Sequence, residues 1–374
     1  MEIKPNKPRL LVVDDEPANL QKLRRTFVSD FVVREAGSGE EALRHLRSEQ
    51  YAVIITDQRM SGISGVELLR ESLALSPQAV RIILTGYTEV DDLMGAINEG
   101  QVHRYIVKPW DPFSLRRTVL QDLELQQLRE ENRSLTEQLR IAAQVQSQLF
   151  PRRRPLVPKL EYAGLCRLAR SVGGDYYDFL ELQPGRLWMA VGDIAGKGMS
   201  AALLMANLQG LLRSHAPLYA DELDRLLASL NEQMCETSDG SQFASLFYAR
   251  FDSVMKTLRY VNAGHPPPLL LRGGTVEWMG ATGPPVGLFE EAAFEVRELP
   301  MRTGDLLVVY TDGITEAEGP DGEMFGDGRL EELVGRHCDL PVKALVDTIL
   351  ESAALFSGGA VQQDDQALVV ARVL

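Results

Sequence analysis

Short apolar runs alternate with amphipathic stretches through the first 120 residues. Arg9–Val13, Phe31–Ala36, Tyr51–Thr56, Val80–Leu84 and His103–Val107 predict five strands. Between them, apolar positions recur at helical spacing near Pro17–Ser29, Gly39–Glu49, Ser64–Leu73 and Glu89–Glu99. This alternation predicts an α/β, doubly wound domain over 1–120, built on a five-stranded parallel sheet. From Phe113 the pattern stays helical, without Pro or Gly, until Pro151. Leu125, Leu128, Asn132, Leu135, Leu139, Ala142 and Leu149 follow alternating spacings of three and four, with Gln146 at one seam position. That heptad pattern predicts a coiled-coil helix linker over 121–152, roughly 57 Å long counting from Phe113. Asn132 on an a position favours a parallel homodimer in fixed register. Pro151-Arg152-Arg153-Arg154-Pro155 breaks the helix and reads as a solvated hinge.

Beyond Leu160 strands predominate. They are predicted at Leu160–Arg167, Arg186–Val191, Ala244–Phe251, Thr257–Val261, Pro268–Leu271, Val276–Met279, Phe294–Glu298, Asp305–Val309 and Ala367–Val373. Amphipathic helices are predicted at Ser200–Ser214, Asp221–Glu236, Arg329–Gly335 and Val342–Leu355. Meandering strands interrupted by helix pairs imply an α+β domain over 153–374, a β-sandwich flanked by helices.

A net charge of −14 argues against nucleic acid as the main partner, because phosphate backbones demand clustered Lys and Arg. Cys166, Cys235 and Cys338 are scattered without metal-ligand spacing and suit a reducing compartment. No apolar stretch reaches the roughly 18 residues of a membrane span, and the N-terminus lacks a signal-peptide core. A cytoplasmic location is expected, with no membrane partner.

In a doubly wound sheet, ligands bind beyond the carboxyl ends of the strands. Here those ends carry Asp14 and Asp15, then Asp57, Thr85 and Lys108-Pro109. Three carboxylates, a hydroxyl and an ammonium on one rim suit a divalent cation and a phosphoryl group. Asp14 and Asp15, with Asp57, would hold Mg²⁺, and Asp57 would accept phosphate as a carboxylate nucleophile. Lys108 and Thr85 would bind the phosphate oxygens, with Tyr105 following Thr85 as a packing switch. The run Val12-Val13-Asp14-Asp15-Glu16-Pro17, Asp57 followed by Met60 and Gly62, Thr85-Gly86 and Lys108-Pro109 resembles a two-component receiver domain. One departure is Ser61, where receivers usually carry proline, and it is expected to relax that loop.

Four acidic motifs mark the C-terminal half. They are Gly173-Gly174-Asp175-Tyr176-Tyr177-Asp178, Gly192-Asp193-Ile194-Ala195-Gly196-Lys197-Gly198, Tyr310-Thr311-Asp312-Gly313 and Gln363-Asp364-Asp365-Gln366. Each places a carboxylate beside a strand, and converging carboxylates repel unless cations sit among them. With no Cys or His alongside, the set specifies Mg²⁺ or Mn²⁺ rather than zinc, in the composition of a two-metal hydrolytic site. Asp178 reads as a supporting or capping group, and His265 as a turn-stabilising group. Lys197 reads equally as a phosphate contact or a solvated turn residue.

Together with Gln146, Leu149-Phe150-Pro151, Asn262-Ala263-Gly264-His265-Pro266 and Gly283-Pro284-Pro285-Val286-Gly287, this constellation resembles the metal-dependent PPM serine/threonine phosphatases, in their SpoIIE-like branch. The resemblance runs from about Gln144 to Leu374. It implies that Asp175, Asp193, Asp312 and one or both of Asp364 and Asp365 ligate two Mn²⁺ or Mg²⁺ ions, with the Ile194 carbonyl as a further ligand. Ala367 departs from the usual Asp-Asp-x-Thr, which is expected to weaken activity at most. The resemblances imply a response regulator phosphorylated by a histidine kinase or phosphotransfer protein, whose output hydrolyses a phosphorylated anti-sigma-factor antagonist in a partner-switching pathway. The alternative is a catalytically silent, phosphorylation-gated module that sequesters a regulatory protein.

Overall fold

A computed structural model describes residues 7–86, 102–152, 154–237 and 242–374. The chain forms two compact units, 1–136 and 137–374. The predicted helix at Glu89–Glu99 lies outside the described residues.

In the first unit the strands are β1 (Arg9–Val13), β2 (Val32–Ala36), β3 (Val53–Asp57), β4 (Val80–Thr85) and β5 (Arg104–Val107), in the order β2-β1-β3-β4-β5. The pairings between neighbours are all parallel. Between them lie α1 (Pro17–Phe27), α2 (Gly39–Ser48) and α3 (Gly65–Leu75). Local chemistry sets the helix starts. Pro17 opens α1, Ser38 caps α2 by accepting from Glu41 N, and Ser64 with Glu67 forms a capping box on α3. Apolar residues fill both faces of the sheet, as a parallel sheet covered on two sides requires.

Helix α4 runs from Pro112 to Gln146, 35 residues. Leu115, Val119 and Leu123 bury its first turns in the core of the first unit. Further on, Leu125, Leu128 and Leu135 are at least half exposed, and Asn132 is exposed too. The helix ends four residues earlier than the unbroken pattern to Phe150 predicts. The backbone tightens there, with Gln148 N donating to Val145 O and Leu149 N to Gln146 O. Burial drives this ending, because Leu149 and Phe150 pack into the core of the second unit and Gln146 is buried. The last seam positions therefore serve their own domain.

The second unit is a four-layer sandwich. One antiparallel sheet has the order β13 (Arg297–Pro300), β10 (Thr257–Ala263), β9 (Ala244–Asp252), β8 (Arg186–Ile194), β7 (Tyr176–Leu180). The other has the order β12 (Thr275–Trp278), β11 (Leu269–Arg272), β14 (Leu306–Tyr310), β15 (Gln366–Val373), β6 (Leu160–Arg167). Their inner faces meet through residues such as Tyr177, Met189, Phe247, Val309 and Val369. Helices α5 (Met199–His215) and α6 (Leu223–Thr237) cover the first sheet. The second is covered by α8 (Gly326–His337) and α9 (Val342–Phe356), with the single turn α7 (Asp312–Thr315) beside them. Strand β15 shows the layering: Ala367, Val369 and Ala371 face the partner sheet, and Leu368 and Val370 face the helices. Both faces being buried, its sequence reads as one apolar run.

One strand was not anticipated and one is displaced. Strand β7 lies inside an acidic motif. The run predicted as Phe294–Glu298 forms its strand three residues later, because Phe294 and Val296 pack beneath the helices. Asp312-Gly313 opens α7.

Candidate phosphoacceptor and active sites

In the first unit, one carboxylate oxygen from each of Asp14, Asp15 and Asp57 lies within 4.8 Å of the other two. Asp14 is fully buried and Asp57 nearly so. Lys108 Nζ stands 2.7 Å from Asp57 and 3.4 Å from Asp14. Burial raises the Asp57 carboxyl despite the opposing ammonium. Burial works against the charge on Lys108, yet Asp57 and Asp14 more than offset it, so its pKa rises. Three carboxylates against one lysine leave a negative surplus of hard oxygen donors, which fits a divalent cation. Thr85 is buried at the end of β4, and Tyr105 is 38% exposed on β5. Ser61, where receivers usually carry proline, has a backbone donor. Its backbone N–H donates to Asp15 Oδ2 at 3.2 Å, a bond a proline could not make.

In the second unit the acidic motifs gather at one end of the sandwich. Antiparallel pairing puts the end of β8, with Asp193, beside the start of β7, next to Asp175. In the other sheet it puts Asp312, just past β14, beside Asp364 and Asp365, just before β15. Thr311, a residue sequence reasoning passed over, bridges the two sheets. Its buried hydroxyl donates to Asp175 Oδ2 at 2.6 Å and accepts from Ala367 N at 2.8 Å. Asp365 is held by the N–H groups of Ala169 and Gly174, both at 2.8 Å. Asp364 pairs with Lys197 at 2.7 Å. The Ile194 carbonyl lies against Gly174, where an added Cβ would stand 3.1 Å from its oxygen.

Three of the five aspartates have raised carboxyls. Burial first, then the Asp193 charge, pushes the Asp175 carboxyl well up. Asp193 is pushed up to about 7 by burial, then by Asp312 and Asp364. Asp312 is raised by burial, then by Glu316 and Asp364. Lys197 is the one cation within ion-pair distance of any of the five among the described residues. An all-oxygen, under-neutralised donor set fits hard divalent cations. No three of these carboxylates approach as closely as the trio of the first unit does.

Other candidates fall outside this cluster. Asp178 is fully buried and takes Arg213 through both oxygens at 2.7 Å, with Tyr176 Oη at 2.7 Å and Phe179 N at 2.8 Å. It locks α5 to the sheet and faces no site. His265 is buried with Nδ1 against Ser245 Oγ at 2.9 Å, and burial holds its imidazole down at about 3, hence neutral. Gln146, by contrast, reaches the site through one neighbour. Its amide donates to Gly173 O at 2.7 Å and accepts from Gly173 N at 3.2 Å, next to the residue that holds Asp365.

Comparison with known proteins agrees with this architecture. Protein IcfG of Synechocystis sp. is 29% identical over 258 residues, 60% of this chain and 40% of that protein. The chain thus spans less than half of IcfG. Phosphoserine phosphatase RsbU of Bacillus subtilis is 26% identical over 231 residues, 61% of this chain and 68% of RsbU. The SiaA-PP2C domain of Pseudomonas aeruginosa shares the fold, with a TM-score of 0.59 at 19% identity, over 65% of this chain and 99% of that one. The receiver-like unit matches the response regulator receiver domain over residues 10–120. The match that covers Asp193, Asp312, Asp364 and Asp365 spans residues 183–374, just over half of the chain, so the protein belongs to the stage II sporulation protein E (SpoIIE) family.

Proposed function

We propose that this protein is a metal-dependent protein serine/threonine phosphatase controlled by phosphorylation of Asp57, and that its substrate is a phosphorylated anti-sigma-factor antagonist. In this reading a receiver over 1–120 takes phosphate from a histidine kinase or phosphotransfer protein. A linker over 121–152 pairs as a parallel coiled coil through the exposed Leu125, Leu128, Asn132 and Leu135. The phosphatase occupies 153–374. The observation that carries the reading is the convergence of five aspartates from two sheets, three of them with raised carboxyls, where among the described residues one lysine lies within ion-pair distance.

Asp175, Asp193, Asp312, Asp364, Asp365 and the Ile194 carbonyl would hold two Mn²⁺ or Mg²⁺ ions, and Asp14, Asp15 and Asp57 one Mg²⁺. Bound ions supply a water of lowered pKa and neutralise phosphate oxygens. The chain's own residues orient the site. Thr311 fixes the Asp175 carboxylate, while Ala169 and Gly174 fix Asp365. Lys197 neutralises Asp364 and can turn to a phosphate oxygen. Gln146 ties the end of α4 to the Gly173-Gly174 loop, so a shift of that helix reaches Asp365 and Asp175.

The test adds Mn²⁺ and an aryl phosphate to wild type and to Asp193→Ala. Turnover that needs metal and disappears in the variant supports the enzyme. Absence of turnover in both supports the silent binding module, a reading favoured by one observation, the Lys197–Asp364 ion pair engaging a ligand carboxylate. Control by the receiver is read from phosphorylated antagonist proteins, with and without beryllofluoride, in wild type and Asp57→Ala. Equal rates in all four conditions would remove the coupling.

A further inference from the structure

Beside the aspartate cluster opens a cleft of about 440 Å³ that shares Gly313, Lys197 and Asp364 with it. We infer that this cleft seats the substrate protein next to its phosphoryl group, and that Glu316 and Glu318 select a lysine or arginine presented there. The inference rests on the phosphatase reading.

One wall is the loop after α7, closed on itself by a bridge between Glu318 and Met324. The segment leading to β15, with Val361 and Gln363, forms the opposite wall. Its volume falls within the roughly 300–1,000 Å³ of pockets that hold small ligands or side chains. Continuity with Asp364 lets one molecule fill the cleft and place its phosphate at the aspartates.

The charge pattern identifies the occupant. Nearby acidic groups have internal partners: Glu323 holds Arg329 at 2.8 Å, and Asp364 holds Lys197 at 2.7 Å. Glu316 and Glu318 are exposed, and among the described residues neither has a cation within ion-pair distance. Met324 (53% exposed) and Val361 (83% exposed) supply apolar surface along which the stem of a long basic side chain can lie. Lysine and arginine meet both demands, whereas an acidic side chain meets neither and is repelled.

The test uses phosphoserine decapeptides in which one lysine is walked through each position flanking the phosphoserine, with glutamine elsewhere and a matched glutamate series. Aryl phosphate turnover with Mn²⁺ is measured alongside. The expected result is a position at which lysine raises kcat/KM roughly three- to tenfold over glutamate in wild type. Glu318→Lys should abolish or invert that ratio. A flat walk, or a ratio unchanged by Glu318→Lys, overturns the cleft while aryl phosphate turnover persists. Loss of aryl phosphate turnover in wild type itself would instead remove the phosphatase reading, and the cleft with it.

Discussion

Replacing Gln146 with leucine separates the role of α4 in the site from its role in stability. The amide is 4% exposed and satisfies both backbone groups of Gly173, which is buried. Leucine keeps the volume but orphans one N–H and one C=O. Each orphaned buried group costs about 1–3 kcal/mol, partly recovered by the added apolar side chain, so a net loss of about 2–4 kcal/mol is expected. A loss of rate should appear even in the folded variant, because the adjacent Gly174 N–H holds Asp365 and the next residue is Asp175. A misplacement of about 1 Å near reacting groups costs on the order of 100-fold in rate. Urea unfolding gives the first number, and Mn²⁺-dependent aryl phosphate turnover, measured where the variant remains folded, gives the second. Gln146→Glu keeps an acceptor for Gly173 N and should fall between. If folded Gln146→Leu turned over within twofold of wild type, the helix would have no grip on the site and the reasoning would fail.

Removing Arg213 leaves Asp178 charged and buried with half its partners, so Arg213→Met should cost about 3–5 kcal/mol by denaturation. Adding Asp178→Asn to that variant should recover part of the loss. A Cβ on Gly313 would stand 1.9 Å from the Asp365 carbonyl oxygen, so Gly313→Ala must displace the Asp364-Asp365 segment. Metal-stimulated turnover should collapse in it, with about 1–3 kcal/mol of stability lost to overpacking. His265 titrates at about 3 in the folded chain, below the ordinary 6.5. The unfolded chain therefore takes up that proton first, and stability falls as pH drops from 6.5 towards 3, by up to about 1.4 kcal/mol per unit. Denaturation curves between pH 7 and 4.5 should show a shallower acid limb in His265→Gln, and an unchanged slope would refute the assignment.

The hydrophobic pattern by itself determined the two halves, their fold classes and most of their elements. A period of two or near 3.6, punctuated by Gly and Pro, is a local property of the chain. It also placed Asp57, Asp193, Asp312 and Asp364 beside strands, which is where converging sheets can bring carboxylates together. It could not show which polar groups would meet. Asp175 and Asp178 stand three residues apart on one motif, yet one reaches the cluster and the other is captured by Arg213. The hydroxyl of Thr311 finds Asp175 across 136 residues of sequence, and Gln146 leaves an apparent coiled-coil seam to satisfy Gly173. Those choices belong to the tertiary structure. They follow from strand register, from the packing of one sheet on the other, and from the rule that every buried polar group must find a partner wherever in the chain it lies.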